Sequence, residues 1–272
     1  MIELVPSYLK KLTRAEKHLG DLKEEFDRYS GRHPYEVTTT IQRQRKVRRL
    51  EFTEFPENTD IGIIAADVIY NLRSGLDHLA CALVPAAERS HVMFPIFWQG
   101  VWEDPVPGEN EQRTKDRSRW NIYTRRMHPD AVAYLRRMQP HADAQEDDPT
   151  IHFLSVLNRL SNTDRHSKFP LMVTALKNPK VTWRDAGGRP REGHDPRTDD
   201  PAVGMNNHAE FRGVPDDATD VEIVGRPIVV VRVSQPKGEF ELVEMLEKGI
   251  PQIREMAVAP LIRHLHVPRR RR

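Results

Sequence analysis

The stretch IGIIAADVIYNLRSGLDHLACALV, residues 61–84, constrains the fold more strongly than the rest of the chain. Its apolar side chains recur at steps of three and four residues, which is the spacing of one face of an α-helix. Asn58, Thr59 and Asp60 precede it as candidate capping residues, and Pro85 follows it as a stop signal. The stretch therefore predicts a long amphipathic helix. Its buried face would contain Ile61, Ala65, Val68, Leu72, Leu76, Leu79 and Leu83.

Similar periodicity predicts helices on both sides of this stretch. Residues 4–29 carry apolar side chains at three- and four-residue steps, and 128–138 predict a shorter helix. Another helix is expected to begin at Asp148-Pro149, because aspartate suits the cap position and proline suits the first turn. Residues 239–266 predict a C-terminal helix in which the first proline opens a new helix and the second kinks it.

Stretches rich in β-branched residues predict several strands between the helices. Two of them, 35–43 and 46–54, would form a hairpin. Further strands are predicted at 170–176, 221–224 and 228–233. The strands do not alternate regularly with helices, so the order of elements favours an α+β fold. We expect a helical, bundle-like core packed with an antiparallel sheet.

The chain is expected to form a single domain over residues 1–272. Two segments, 98–127 and 178–220, lack periodicity or are rich in proline, glycine and aspartate, and they predict loop insertions. The apolar run at 92–98 is expected to insert into the core, and 267–272 form a basic tail.

Composition excludes several classes of protein. The 272 residues contain 42 Lys plus Arg and 40 Asp plus Glu, a formal net charge of +2, so total charge indicates no partner. Cys81 is the single cysteine, which excludes an internal disulfide. A membrane-spanning apolar run of roughly 18 residues and a signal peptide are both lacking, which predicts a cytoplasmic protein. Glycine-rich phosphate-binding motifs are lacking too, and we predict no cofactor.

The predicted helix at 61–84 has a polar face beside its apolar one. This face contains Asn71, Arg73, Ser74, Asp77 and His78. Its ordinary interpretation is a solvated surface with ion pairs four residues apart, such as Arg73 with Asp77. A second polar stripe on the helix from Asp148-Pro149 ends in LSNTDRHSK. If the apolar faces of the two helices pack together, the two stripes could converge, and His78 would then lie near His166.

The segment Arg73-Ser-Gly-Leu-Asp-His78 matches the pattern R-x4-H, and in this respect the chain resembles HEPN domains (higher eukaryotes and prokaryotes nucleotide-binding). HEPN domains are helical bundles, and many are metal-independent ribonucleases that act as dimers. The resemblance implies catalytic roles for Arg73 and His78 and implies a homodimer. The segments NLRSGLDHLA and LSNTDRHSK also resemble a set of bacterial proteins with no assigned activity.

Such a site has a plausible chemistry. Metal-free RNA cleavage needs a group that removes the 2′-OH proton, and histidine titrates near neutrality. It also needs a cation beside the phosphate oxygens, which a planar guanidinium can supply. Asn71 or Asp77 would orient the imidazole of His78. The candidate catalytic residues are Asn71, Arg73, Asp77, His78, Asn162, Asp164 and His166.

Two basic segments add a nucleic-acid hypothesis. One spans 43–49 in the predicted hairpin, and the other spans 113–126 and includes two aromatic residues. Cations bind phosphates and aromatic rings stack on bases, a combination that suits single-stranded RNA. Solvated arginine-rich loops are the alternative interpretation. The candidate nucleic-acid-binding residues are Arg43, Arg45, Lys46, Arg48, Arg49, Trp120 and Tyr123.

Three alternatives remain open from the sequence. Imidazoles and carboxylates could in principle bind a metal, but they lack diagnostic spacing, and we predict no metal site; these residues are Asp67, Asp77, His78, His152 and His166. Nucleophilic catalysis by serine or by Cys81 has little support, since a thiol beside apolar residues favours packing. Finally, the chain could be a non-enzymatic binding module in which the Arg/His/Asp cluster is a structural hydrogen-bond network.

Overall fold

A computed structural model shows an α+β fold with two antiparallel sheets. The first two helices are α1 (Ser7–Gly31) and α2 (Ile61–Ala82), which pack together along their apolar faces. All seven apolar residues predicted to form the buried face of α2 are buried. The helices approach closely at Gly75, where an added Cβ would lie 3.2 Å from Cδ2 of Leu12. The structure describes residues 6–42, 45–53, 59–97, 100–101, 110–140, 153–164, 171–193, 208–211, 214–234 and 237–265.

The predicted hairpin is present between these two helices. Strand β1 (Tyr35–Gln42) pairs antiparallel with β2 (Arg45–Phe52), in a register that sets Tyr35 opposite Phe52. The hydroxyl of Tyr35 donates to the carbonyl oxygen of Gly225 at 3.3 Å, which ties the base of the hairpin to the second sheet.

Three shorter helices follow the hairpin in the sequence and precede the strands of the second sheet. They are α3 (Glu111–Thr124), α4 (Pro129–Arg137) and α5 (Phe153–Asp164). The predicted helix at 128–138 is thereby confirmed. The predicted helix start at Asp148-Pro149 lies outside the described residues. The expectation of a loop throughout 98–127 is wrong, because α3 begins after Asn110, whose side chain accepts a hydrogen bond from the backbone N–H of Arg113 at 2.8 Å.

The second sheet contains four strands in the order β4-β3-β6-β7. Its long central pair is β3 (Leu171–Arg184) and β6 (Thr219–Ser234), flanked by β4 (Pro190–Gly193) and β7 (Lys237–Glu241). Strand β5 (His208–Phe211) pairs with β2 in the first sheet. The expected loop at 178–220 is therefore wrong wherever the structure describes β3, β4, β5 and the start of β6.

The two strands predicted at 221–224 and 228–233 are one strand, β6. Pro227 lies inside it, opposite Leu176 of β3. A proline has no N–H to offer a second neighbour, and β7 pairs with β6 only from Val230 onward. The missing donor therefore costs no ladder hydrogen bond to β7. Apolar residues of the helices and of both central strands join one continuous core.

The C-terminal segment differs from the single helix predicted for 239–266. The first residues of this segment belong to strand β7. Helix α6 (Leu242–Gln252) follows, and a π-helical turn occupies Ile253–Val258. Pro251 lies inside α6 and does not open a new helix, which corrects that prediction. Pro260 follows the π-helical turn within Ala259–Leu261. In the described part of the chain, no helix combines the length and apolar character needed to cross a bilayer.

A side chain of α4 contacts the π-helical turn. The hydroxyl of Tyr134 donates to the carbonyl oxygen of Met256, within this turn, at 2.8 Å. This bond fastens α4 to the π-helical turn.

Replacing Tyr134 with phenylalanine is expected to lower the free energy of unfolding by about 1 kcal/mol, the net worth of a typical hydrogen bond. Urea unfolding of both proteins measures this difference. The control is Tyr70→Phe on α2, where the ring is 50% exposed, and its effect should stay within about 0.5 kcal/mol. Equal effects of the two substitutions would show that the Tyr134–Met256 bond contributes nothing.

Candidate functional site

Arg73 lies on the inner side of α2, and only 5% of its surface is exposed. One of its terminal nitrogens, Nη2, donates to the carbonyl oxygen of Phe94 at 3.0 Å. The same nitrogen lies 3.1 Å from Oδ1 of Asp77, one helical turn further along α2. The ion pair predicted between Arg73 and Asp77 from their spacing is therefore confirmed, and it is largely enclosed by protein.

Asp77 also binds the backbone of Phe94. Its Oδ1 accepts a hydrogen bond from the backbone N–H of Phe94 at 2.9 Å. The Arg73–Asp77 pair thus satisfies both backbone polar groups of one residue, as a neighbouring strand would. Phe94 itself is fully buried, so these groups would otherwise lie in the core without hydrogen bonds.

The extended segment that Phe94 belongs to is held at a second point by Gln139. Its Oε1 accepts from the N–H of Phe97 at 2.9 Å, and its Nε2 donates to the carbonyl oxygens of Pro95 at 3.0 Å and of Leu135 at 2.9 Å. The Gln139 side chain has no exposed surface. Three side chains therefore fix the apolar run that was predicted to insert into the core. Val92, Phe94 and Phe97 are buried and Met93 and Ile96 are half-buried, whereas Trp98 lies outside the described residues. Gln139 was not among the predicted site residues, since only its position beside apolar neighbours after α4 indicates burial.

The remaining predicted site residues on α2 point elsewhere. His78 is exposed, whereas Arg73 is buried, because five residues correspond to a rotation of about 140° around a helix axis. Asn71 is buried, and its Nδ2 donates to the carbonyl oxygen of Asp67 at 2.8 Å. Nδ2 of Asn71 and Oδ1 of Asp77 are thus hydrogen-bonded to backbone groups and not to the imidazole of His78. The structure therefore separates His78 from the buried pair.

The partner stripe on α5 can be located only in part. Helices α2 and α5 do pack together, and Leu154, Leu157 and Leu160 of α5 are buried. Asn162 is exposed. The side chain of Asp164 and the whole of His166 lie outside the described residues. The proximity of His78 to His166 stays a prediction.

Two aromatic residues predicted to stack on bases belong instead to the core. The ring of Trp120 is 2% exposed and meets the edge of Phe97, with ring centres 6.3 Å apart. The ring of Tyr123 stacks on Phe97 at 6.5 Å, and its hydroxyl lies 3.7 Å from Sδ of Met93. Trp120 has no accessible face, and Tyr123 is half-buried with one face against Phe97. The burial of Trp120 leaves no face of this ring for a base, whereas the predicted stacking role of Tyr123 stays a prediction.

Several cations of α3 and of the two residues that follow it have local partners. A guanidinium nitrogen of Arg113 donates to the carbonyl oxygen of Gly100 at 3.0 Å, and other cations meet carboxylates one helical turn away or on the short 3₁₀ helix Ala86–His91. These contacts neutralise much of the charge that the sequence suggested. The ion pairs are Lys115–Glu111 at 2.6 Å, Arg119–Asp116 at 3.2 Å, Arg125–Glu88 at 3.8 Å and Arg126–Glu88 at 3.5 Å.

The cations of the hairpin lie along a single strand. Arg45, Lys46, Arg48 and Arg49 all lie in β2, whereas Arg43 is outside the described residues. The residues opposite these four cations in β1 are uncharged: Gln42, Ile41, Thr39 and Thr38. Ile41, opposite Lys46 near the hairpin tip, is 76% exposed. The backbone register therefore keeps four positive charges on one strand, with no acid across from them in β1 and one, Glu210 opposite Arg49, across from them in β5.

Cys81 lies one turn beyond Asp77, and its thiol faces backbone. Its Sγ lies 3.5 Å from the carbonyl oxygen of Val92 and 3.9 Å from that of Arg89. Burial, and secondarily the carboxylate of Asp77, raise the pKa of this thiol above its ordinary value. A thiol held in the protonated form is a poor nucleophile, so the geometry favours packing for Cys81.

Comparison with known proteins identifies no relative of this chain. No protein-family model matches the chain, and no curated protein and no solved structure shows significant similarity to it.

Proposed function

We propose that this chain is a non-enzymatic binding module that contacts single-stranded RNA through its cationic hairpin, β1–β2. The observation that carries the first half of the proposal is the enclosure of Arg73. Its Nη2 is shared between Asp77 and the carbonyl of a fully buried residue, Phe94. A guanidinium used in this way holds a backbone segment in place.

Cleavage by the R-x4-H chemistry would need different geometry. An arginine that stabilises a developing negative charge must have donors within hydrogen-bonding distance of the phosphate oxygens. Exposing Arg73 would remove a donor from the carbonyl of Phe94 and a counter-charge from Asp77. Breaking a buried pair in this way costs several kcal/mol. The Arg73–Asp77 pair is therefore better suited to structure than to catalysis.

The second half of the proposal rests on the charge pattern of β2. Four of the five residues at positions 45–49 are cations, and the β1 residues opposite them carry no charge. On the other side of β2, Glu210 of β5 is the one acid opposite these four cations among the described residues, at Arg49. Such a strand attracts a polyanion along its length, and the attraction falls with salt because bound counterions are released. By contrast, two cations of α3, Lys115 and Arg119, are paired with acids of the same helix, and the ring of Trp120 is packed inward.

The test is fluorescence anisotropy with a labelled single-stranded RNA over a range of salt concentrations. A variant with Arg45, Lys46, Arg48 and Arg49 all changed to glutamine should bind more weakly. The slope of log affinity against log salt should become shallower by about 0.7 for each phosphate that the variant no longer neutralises. The matched control changes Arg125 and Arg126, both paired with Glu88, to glutamine, and it should bind like the wild type. Absence of RNA binding by the wild type, or equal binding by the quadruple variant, would refute the proposal.

A second candidate is a HEPN-like, metal-independent ribonuclease that functions as a homodimer. The observation in its favour is the exposure of His78, which leaves the imidazole open to an incoming RNA. In this alternative a cation other than the enclosed Arg73 has to meet the phosphate.

A further inference from the structure

We propose that His128, Asp130 and His264 form a binding site for a divalent transition-metal ion such as Zn²⁺. Each side chain offers one ligand atom, and the three atoms lie within 4.8 Å of one another. The site is independent of the RNA-binding proposal. It joins α4 to the C-terminal end of the helical segment that follows α6.

Local structure places the three side chains together. His128 is the N-cap residue of α4, Pro129 occupies the first turn, and Asp130 follows in that turn. His264 ends the 3₁₀ turn Ile262–His264. The two imidazole rings are nearly parallel, at 18°, with centres 5.4 Å apart. Two residues that are distant in sequence thus present their rings side by side.

Both imidazoles have a nitrogen lone pair, as a metal ligand must. The backbone N–H of Asp130 donates to Nδ1 of His128 at 3.2 Å. The side chain of Arg263 donates through Nε to Nε2 of His264 at 3.1 Å. A nitrogen that accepts a hydrogen bond carries no proton, so each ring has one basic nitrogen. The carboxylate of Asp130 supplies the third ligand atom for the metal, and its Oδ2 lies 3.5 Å from Nδ1 of His128.

This ligand set suits a borderline metal ion. Zinc binds histidine nitrogens and carboxylate oxygens at about 2.0–2.2 Å, and it often takes three protein ligands and one water. Tetrahedral ligands at that distance lie about 3.3 Å apart. The side chains of His128 and Asp130 are 58% and 74% exposed, so they can turn inward to meet the ion. The metal would take the place of the two N–H donors, and the exposed guanidinium of Arg263 would turn away toward solvent.

The test measures Zn²⁺ binding to the full chain after chelator treatment, by calorimetry and by the rise in melting temperature. His264→Ala and Asp130→Asn should each weaken binding at least tenfold, since loss of even an outer-shell partner weakens metal binding about 10–100-fold. Both changes leave the side-chain cap of His128 in place. Zn²⁺ should raise the melting temperature of the wild type more than that of either variant, because a ligand that binds the folded state stabilises it.

The control is His91→Ala, which removes an exposed histidine from the 3₁₀ helix Ala86–His91 and should leave Zn²⁺ affinity unchanged. Failure of the wild type to bind Zn²⁺ would overturn the proposal. Equal affinity in the wild type, His264→Ala and Asp130→Asn would also overturn it, since the bound ion would then lie elsewhere.

Discussion

Replacing Arg73 with alanine is expected to lower the free energy of unfolding by about 3 kcal/mol, at the lower end of the range for breaking a buried ion pair. The change removes the Nη2 donor from the carbonyl of Phe94 and the counter-charge from Asp77. The side chain of Asp77 is 21% exposed, so water offsets part of the loss. Urea unfolding at neutral pH, with the slope of the transition compared as well, measures the effect.

The matched control is His78→Ala on the same helix. His78 is exposed and should change the free energy of unfolding by no more than about 0.5 kcal/mol. A catalytic interpretation predicts a different outcome, in which both variants stay as stable as the wild type and both lose activity. If Arg73→Ala is as stable as the wild type, the structural role assigned to the Arg73–Asp77 pair is wrong.

Replacing Trp120 with alanine is expected to lower the free energy of unfolding by about 4 kcal/mol, because it empties a large, fully enclosed space in the core. Trp120 is the one large apolar residue of α3 that is fully buried; the other buried residues of this helix are Asp116 and Thr124. Without the ring, α3 is no longer attached firmly to Phe97. Thermal and urea unfolding measure the change in stability.

Ile122 provides the control on the same helix. Its side chain is 42% exposed, and Ile122→Ala should shift stability by no more than about 0.5 kcal/mol. Trp120→Phe, which keeps an aromatic ring in the core, should bind RNA as the wild type does. A specific loss of RNA affinity in a stably folded Trp120→Phe would restore the stacking role that the buried geometry rejects.

The elements with strong local patterns were predictable from sequence. Helix α2 has a continuous apolar face that is buried, and strand β1 is rich in β-branched residues, so local preference indicated the right element in both. Helix α3 escaped prediction because its apolar residues, Trp120, Ile122 and Tyr123, all lie in its C-terminal half and its first two turns are polar or charged. The Asn110 cap was the local signal that could have located its start.

In the candidate site, only contacts between residues of the same helix were predictable from the sequence. Spacing by four residues correctly paired Arg73 with Asp77. Whether Arg73 or His78 is enclosed depends on the segment that contains Phe94. This segment contacts α2 although Phe94 lies 17 residues beyond Asp77 in the sequence. Such a contact is set by tertiary packing, and the sequence of α2 alone does not encode it. Likewise, the approach of His264 to His128 depends on how the C-terminal helices dock on α4.

RNA cleavage in the presence of a chelator tests the central claim most directly, with wild type, Arg73→Ala and His78→Ala compared on one labelled single-stranded RNA. A non-enzymatic binding module predicts no cleavage above the protein-free control for the wild type and for His78→Ala, at protein concentrations that saturate binding. Cleavage by the wild type that is lost in His78→Ala, a substitution at an exposed position expected to leave stability unchanged, would contradict it.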